Sequence, residues 1–324
     1  MEQEKVNWAI LGTGKIARQF ATDLDKVPNA VKYVVASRSE EKASNFASEF
    51  NFETSYGSYE ALAKDTKVDA VYIASPHALH AEHTKLFLKH KISVLCEKPF
   101  AMNTNEVQEM ISLAKKQDTL LMEALWTHFL PHYNYVLELV SSGKMGAITS
   151  LKADFGFYKR FNNNARLFNK ELGGGSLLDI GIYPIFAALT LLGIPENIEA
   201  DATYYDNGAD SSCQMEFTYK NNVIANLKST LLEKTATEAV IECEKGTIHI
   251  LGHFHKPTQV RITTHNVSEI KDFGYTTIGY NFEATHFTEL ILNGKKESPI
   301  MTYNKSLALI NLLDKVRELI NLHY

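Results

Sequence analysis

Three groups of residues have the types and spacing that chemistry needs. The first is Leu11-Gly12-Thr13-Gly14-Lys15-Ile16-Ala17, a GxGxxA sequence directly after an apolar run and opening a helical pattern. Gly12 suits a tight turn, Gly14 lets backbone approach a pyrophosphate, and Ala17 lets the helix lie close to the strand. The N–H groups at a helix start favour an anion there. A dinucleotide held by Gly12, Thr13, Gly14, Lys15 and Ile16 is expected; the alternative is a purely structural turn. The second apolar run ends in Ala36-Ser37-Arg38-Ser39 and meets no acid before Glu40. NAD sites usually place a carboxylate here for the ribose 2′-hydroxyl. A serine and a planar guanidinium suit a 2′-phosphate instead. NADP is therefore expected ahead of NAD, against the alternative of an ordinary surface arginine at Arg38.

The second group is Cys96-Glu97-Lys98-Pro99, which follows another strand-like run. In a doubly wound sheet the C-terminal ends of strands line the ligand crevice. Lys98 is thus expected to point toward the nicotinamide, the alternative being a solvated loop lysine. The third group is Leu172-Gly-Gly-Gly-Ser-Leu-Leu-Asp179-Ile-Gly-Ile-Tyr183-Pro. A helix from Leu177 would put Asp179 and Tyr183, four apart, on one face. A carboxylate and a phenol on an apolar helix suit proton chemistry, although a capping Asp and a packing Tyr would read the same way.

These groups need elements to position them. The chain has 324 residues, 45% hydrophobic and 22% charged, with a net charge of −5. That suits a soluble chain of two domains and excludes disorder and collagen. In the first part, short apolar runs (6–11, 31–37, 70–75, 93–96, 120–125) alternate with helical patterns (16–27, 40–50, 82–90, 105–116). Buried runs separated by helices predict βαβ units and a parallel sheet. In the second part, an alternating stretch at 149–157, an Asn- and Arg-rich loop at 158–171 and an apolar helix at 177–192 precede closely spaced alternating runs (199–205, 213–219, 223–232, 239–243, 247–251, 259–264). That is the texture of an antiparallel sheet with helices on one face. Helices are expected near 282–292 and 305–322. The fold class is therefore α/β: a Rossmann doubly wound sheet at 1–127, binding the cofactor, and an α/β domain with a large, mostly antiparallel sheet at 128–324. The last helix is a candidate to pack back on the first domain.

Taken together, Gly12-x-Gly14-x-x-Ala17, Glu97-Lys98-Pro99 and Gly-Gly-Gly-Ser-Leu-Leu-Asp179-Ile-Gly181-Ile-Tyr183 resemble the glucose–fructose oxidoreductase/inositol dehydrogenase (Gfo/Idh/MocA) family, in order and along essentially the whole chain. Ser75-Pro76-His77-Ala-Leu-His80 resembles the family's loop after its fourth strand. Tyr183, where many members carry His, and the tract Glu123-Ala-Leu-Trp126-Thr-His128-Phe resemble the dihydrodiol and NADP-linked xylose dehydrogenase branch, which usually has Arg at the position of His128. The resemblance implies an NADP(H)-dependent oxidoreductase acting on a sugar or vicinal diol. It implies Lys98 and Tyr183 as the catalytic pair with Asp179 in support. It adds Ser75, Pro76, His77, His80, Glu97 and Trp126 beside Ser37 and Arg38 as cofactor neighbours, and Trp126, His128, Arg160, Arg166 and Tyr183 as candidate substrate contacts. It also implies a homodimer through the open face of the second sheet. The chemistry is coherent: hydride leaves carbon as a proton leaves oxygen. An ordinary phenol, pKa near 10, is a weak base at neutral pH. A lysine ammonium about 4 Å away would favour phenolate by roughly 1–4 kcal/mol.

Other readings carry less. His77, His80 and His83 recur every third residue and His253 and His255 alternate, but no cysteine or complete carboxylate set joins them, so no metal is expected. His80 is read as a cofactor or substrate neighbour and the other four as surface. No basic–aromatic interleaving points to nucleic acid. Cys96, Cys213 and Cys243 make no CxxC, which suits a reducing cytosol. No apolar run is expected to reach the roughly 18–20 residues that span a bilayer, so a soluble, cytoplasmic protein without a membrane partner is expected. Two rival functions remain: a glucose–fructose oxidoreductase-type enzyme that retains its NADP, and a non-catalytic NADP sensor on the same fold.

Overall fold

The structure, a computed structural model, describes residues 4–265 and 267–324. The chain forms two compact units, Met1–Trp126 with Thr276–Leu307, and Thr127–Tyr275 with Ala308–Tyr324.

The first unit is built in the order β1 (Val6–Leu11), α1 (Lys15–Leu24), β2 (Ala30–Ala36), α2 (Glu40–Phe50), β3 (Thr54–Tyr56), α3 (Tyr59–Ala63), β4 (Ala70–Ile73), α4 (His80–Lys89), β5 (Ser93–Glu97), α5 (Thr104–Gln117) and β6 (Leu121–Ala124). All its strand pairs are parallel, in the order β3-β2-β1-β4-β5-β6. This is the doubly wound order whose switch point, between β1 and β4, opens the ligand crevice at the strands' C-terminal ends. β4 is buried throughout and its neighbours β1 and β5 at all but one position each, Asn7 and Ser93, as strands covered on both faces tend to be.

The second unit opens with α6 (Pro131–Ser141), β7 (Ile148–Gly156), α7 (Ile182–Leu192), β8 (Asn197–Tyr204) and β9 (Asp210–Thr218). It continues through β10 (Ile224–Thr230), β11 (Ala239–Cys243), β12 (Gly246–Ile250), β13 (Val260–Thr264) and β14 (Val267–Lys271). Its eight strands are ordered β14-β13-β12-β11-β7-β10-β9-β8. Every pair is antiparallel except β7 with β10. Side chains alternate between a buried face, as at Leu151 and Leu227 on the strands that α7 packs on, and an opposite polar face that carries Lys152, Asp154, Glu199, Asp201, Glu216 and Lys228.

The chain then returns to the first unit. Helix α8 (Tyr280–Leu292) packs on α1 and β1. Its opening N–H groups are held by a carboxylate 255–257 residues earlier: Asp23 accepts from Ile278 N at 3.2 Å, Gly279 N at 2.7 Å and Tyr280 N at 2.8 Å. A carboxylate at a helix N-terminus meets both orphan donors and the positive dipole end. Helix α9 (Tyr303–Leu319) closes the chain.

Three expectations need correction. The helix read from Leu177 begins as a π-helical turn, Leu177–Gly181, before α7 proper. The short β3 and α3, together with α6 and β14, were not anticipated. The stretch Lys170–Leu192 does reach the length and apolarity of a membrane span. With 78% of its apolar window buried inside the protein, it has the character of a core helix.

Candidate active site

In the first unit, the glycine loop has the geometry of an anion cradle. Gly12 has φ +102°, and a Cβ there would lie 3.1 Å from the Ala74 carbonyl oxygen. Only glycine fits both conditions without strain. A Cβ on Gly14 would meet nothing within 4 Å, so the space before α1 is open. Gly14 itself is the N-cap, with no side-chain cap and no acid in the first turn. By contrast, α2 is capped by Ser39 and carries Glu40 and Glu41. The start of α1 thus offers a bare positive dipole end, and these residues fit a pyrophosphate. Ala17 is fully buried against the sheet, while Thr13 is half-buried and Lys15 and Ile16 are exposed at the rim. At the end of β2, Ser37 is buried and its hydroxyl accepts from Ser39 N at 3.4 Å. Arg38 is exposed; burial raises the pKa of the Tyr59 phenol, and the positive charge of Arg38 opposes that rise.

Lys98 is half-buried in a pinned loop. Its peptide bond to Pro99 is cis. Glu97 accepts from the Tyr72 hydroxyl and, at 3.2 Å, from Lys98 N. Phe100 N donates to Glu123 Oε1 at 3.1 Å. His80 sits between two carbonyl oxygens, with Nδ1 2.7 Å from Pro99 O and Nε2 2.9 Å from Ser75 O. Burial, with the positive Lys98 nearby, lowers its pKa to about 4. The ring is neutral at pH 7 and donates to one of the two carbonyls. The loop after β4 is thereby tied to the loop that carries Lys98. Pro76 is half-buried, and His77 is buried edge-on to His80 at 5.6 Å.

Carboxylates gather beneath the same loop. Burial raises Glu123 to about 7, with Lys98 pulling the other way. Glu283 on α8 is fully buried, and neither of its carboxyl oxygens has a hydrogen-bond partner among the described residues. Burial, with the neighbouring Glu97, pushes its carboxyl well above the ordinary carboxylate range. Trp126 stacks on Tyr280 at 4.4 Å and 20°.

In the second unit, Asp179 and Tyr183 lie at the join of the π turn and α7. A π turn bonds i to i+5, so four residues are almost one full turn and the two remain on one side. Asp179 pairs with Arg166 at 2.7 Å. Tyr183 is 6% exposed, its ring 4.9 Å from His255 and 5.7 Å from Phe155. The His255 and Phe155 rings stack at 4.2 Å. His128, a candidate substrate contact, is buried edge-on to Phe186 at 5.1 Å, inside the aromatic core of this unit. Arg160 is exposed on the 158–171 loop.

His77, His83 and His255, read from sequence as surface, are all buried. Each is enclosed by residues distant in sequence or by a helix turn that periodicity did not place; only His253 is exposed. Tyr59, Tyr280 and Glu283 had no local signal marking them as part of these surroundings.

A six-stranded Rossmann unit with a bare, glycine-capped helix start, joined in one chain to an eight-stranded sheet unit, defines a dinucleotide-dependent oxidoreductase. Residues 6–125 match the oxidoreductase family with NAD-binding Rossmann fold, and residues 133–249 match the GFO/IDH/MocA C-terminal domain. The chain belongs to the Gfo/Idh/MocA family. It is 36% identical to the trans-1,2-dihydrobenzene-1,2-diol dehydrogenase of Xenopus tropicalis over 98% of each chain. It is 32% identical to the scyllo-inositol 2-dehydrogenase (NADP(+)) of Bacillus subtilis, again over 98% of each. Among solved structures it is similar to a 3-ketoreductase from Actinomadura kijaniata in complex with NADP and TDP-benzene, with a TM-score of 0.87 and 26% identity over 97% of this chain and 98% of that one.

Proposed function

We propose that this chain is an NADP(H)-dependent oxidoreductase that moves hydride between the nicotinamide and the carbinol or carbonyl carbon of a sugar or vicinal diol. The observation that carries this reading is likeness over 98% of both chains to relatives named as diol and NADP-linked inositol dehydrogenases. The open, uncapped start of α1 and the Ser37-Arg38 pair supply the matching chemistry. When bound, the cofactor supplies the hydride acceptor or donor. The residues of this chain do the rest. Gly12 to Ile16 hold the diphosphate, and Ser37 and Arg38 read the 2′-phosphate. Ser75, Pro76, His77, His80, Glu97 and Trp126 shape the nicotinamide side.

Lys98 and Tyr183 are the proton-handling pair in this reading. The ammonium of Lys98 polarises the substrate oxygen or favours the phenolate of Tyr183, and Asp179 supports them. Arg160, Arg166, His128 and Trp126 are the substrate-side candidates. In the same reading, residues 1–127 bind the cofactor and residues 128–324 bind substrate and pair two copies of the chain in the cytoplasm. The polar sheet face supports pairing: Lys152 and Lys228 lie beside Glu199, Asp201 and Glu216, and a two-fold axis brings such mixed charges into self-complementary contact.

The test is reduction of NADP, followed by absorbance of the reduced nicotinamide, with a panel of pentoses, hexoses, cyclitols and vicinal diols. Turnover with at least one is expected. NADP binding without turnover in either direction would make the chain a sensor and overturn the reading.

A further inference from the structure

Tyr72, in the middle of β4, shares a face of the parallel sheet with Glu97, at the end of β5. In the pairing of the two strands Tyr72 lies opposite Leu95, and Glu97 follows two residues on. Residues two apart in a strand point to one side, and a diagonal neighbour is within reach of an aromatic side chain. The Tyr72 hydroxyl spans that diagonal and donates to Glu97 Oε1. The other oxygen of the same carboxyl group, Oε2, accepts from Lys98 N at 3.2 Å. Lys98 has one backbone N–H, and it is spent on Glu97. Beyond Pro99, which has no N–H, the backbone is held from a different strand: Phe100 N donates to Glu123 Oε1 of β6 at 3.1 Å.

Tyr72 itself is fixed. It is fully buried, and its ring stacks on Phe20 of α1 at 3.7 Å and 8°. Phe20 packs in turn against Trp8 of β1 at 5.5 Å. Burial, with the charge of Glu97 beside it, holds the Tyr72 phenol well above its ordinary pKa, so the hydroxyl keeps its proton and stays a donor. Glu97 is buried too, and a buried carboxyl group keeps one orientation only while its donors hold it. We propose that Tyr72 is a positioning residue for Lys98: through Glu97 it fixes the backbone from which the lysine side chain extends. This rests on the reading of Lys98 as a proton-handling group.

The test compares the full chain with Tyr72→Phe, Lys98→Met and the double variant. Tyr72→Phe keeps the ring against Phe20 and removes only the hydroxyl. The first readout is hydrogen exchange of the Lys98 amide, by mass spectrometry of overlapping peptides in the absence of substrate. Tyr72→Phe should speed that exchange at least about tenfold and leave the amides of β4 and β6 near wild type, a local opening and not a global one. The second readout is turnover. In Tyr72→Phe kcat should fall about tenfold, the scale of one hydrogen bond to a charged group, with NADP affinity within about twofold of wild type. In the Lys98→Met background the same change should alter kcat less than about twofold, because the group that Tyr72 positions has gone. Unchanged exchange at Lys98, an equal rise across β4 and β6, an unchanged kcat, or an equal fall in the two backgrounds overturns the proposal. A wild type without turnover, or a Lys98→Met variant that keeps it, overturns the underlying reading of Lys98, and the proposal with it.

Discussion

The carboxylate of Asp210 fills the space where a side chain on Gly175 would lie: a Cβ there would sit 2.0 Å from Asp210 Oδ1. Asp210 is fully buried, and its other oxygen accepts from Ser176 Oγ at 2.7 Å and from Leu177 N at 2.6 Å. One carboxylate on β9 thus anchors the start of the π turn and the helix that carries Asp179 and Tyr183. Gly175 leaves room for that carboxylate, while Gly174 lies against the backbone of Arg166 and Asn169.

Gly175→Ala should therefore be costly. Gly175 also has φ +127°, so the variant combines backbone strain with a clash, about 2–4 kcal/mol together. Gly193 is the control: its φ is +82°, but a Cβ there meets nothing within 4 Å, so Gly193→Ala should cost the backbone strain alone, about 1–3 kcal/mol, and less than Gly175→Ala. Denaturant melts of the two variants check this. Equal losses would show that Asp210 does not crowd Gly175.

Glu123 makes stability depend on pH. Its folded pKa, about 7, lies above the ordinary 4.5, so the folded state holds the proton more tightly than the unfolded chain does. The stability it contributes is complete below about pH 4.5 and is lost as pH rises through 7. Glu123→Gln keeps an acceptor for Phe100 N and removes the ionisation. Between pH 5 and pH 8 the variant should gain on the wild type, by up to roughly 3 kcal/mol. Melting temperatures across that range that run parallel for the two proteins would contradict the assignment.

The polar face of the eight-stranded sheet leads to an expected dimer at micromolar concentration, measured by light scattering. Lys228→Glu would set like charges on that face and should shift the mass toward monomer. A wild-type monomer would remove the sheet face as a pairing surface.

The parts of this fold that were legible in sequence are those whose cause is local. The apolar run 6–11, the glycine loop and α1 follow one another directly, so turn, phosphate cradle and helix start could be read off Gly12, Gly14 and Ala17. The alternation of the later strands was visible because a sheet with one wet face writes a period of two. What was hidden depends on partners far along the chain. Asp23 caps a helix more than 250 residues later, and the return of 276–307 to the first unit has no compositional mark. His83 and His255 are polar letters whose burial is decided by tertiary packing alone. Glu283 reads as a routine helix glutamate, and only its enclosure beside Glu97 pushes its carboxyl above the ordinary range. The π turn at 177–181 repeats neither 3.6 nor 2, so periodicity passed over it.

Tyr183→His is an informative variant in the proposed pair. Imidazole titrates near 6.5 against about 10 for phenol, so part of the activity should return relative to Tyr183→Phe, with a more acidic optimum. A pH–rate profile for the three proteins checks this, and an unshifted optimum would mean that Tyr183 does not handle the proton.

Turnover of Lys98→Met beside Tyr183→Phe and the double variant tests the central claim most directly, with NADP titrations in parallel. Each single variant should lose at least about a hundredfold in kcat, the scale of a lost acid–base group. The double variant should be little worse than the poorer single, because the two act as one unit. NADP affinity should stay close to wild type in all three. Full turnover in both single variants would contradict the placement of the active site at Lys98 and Tyr183.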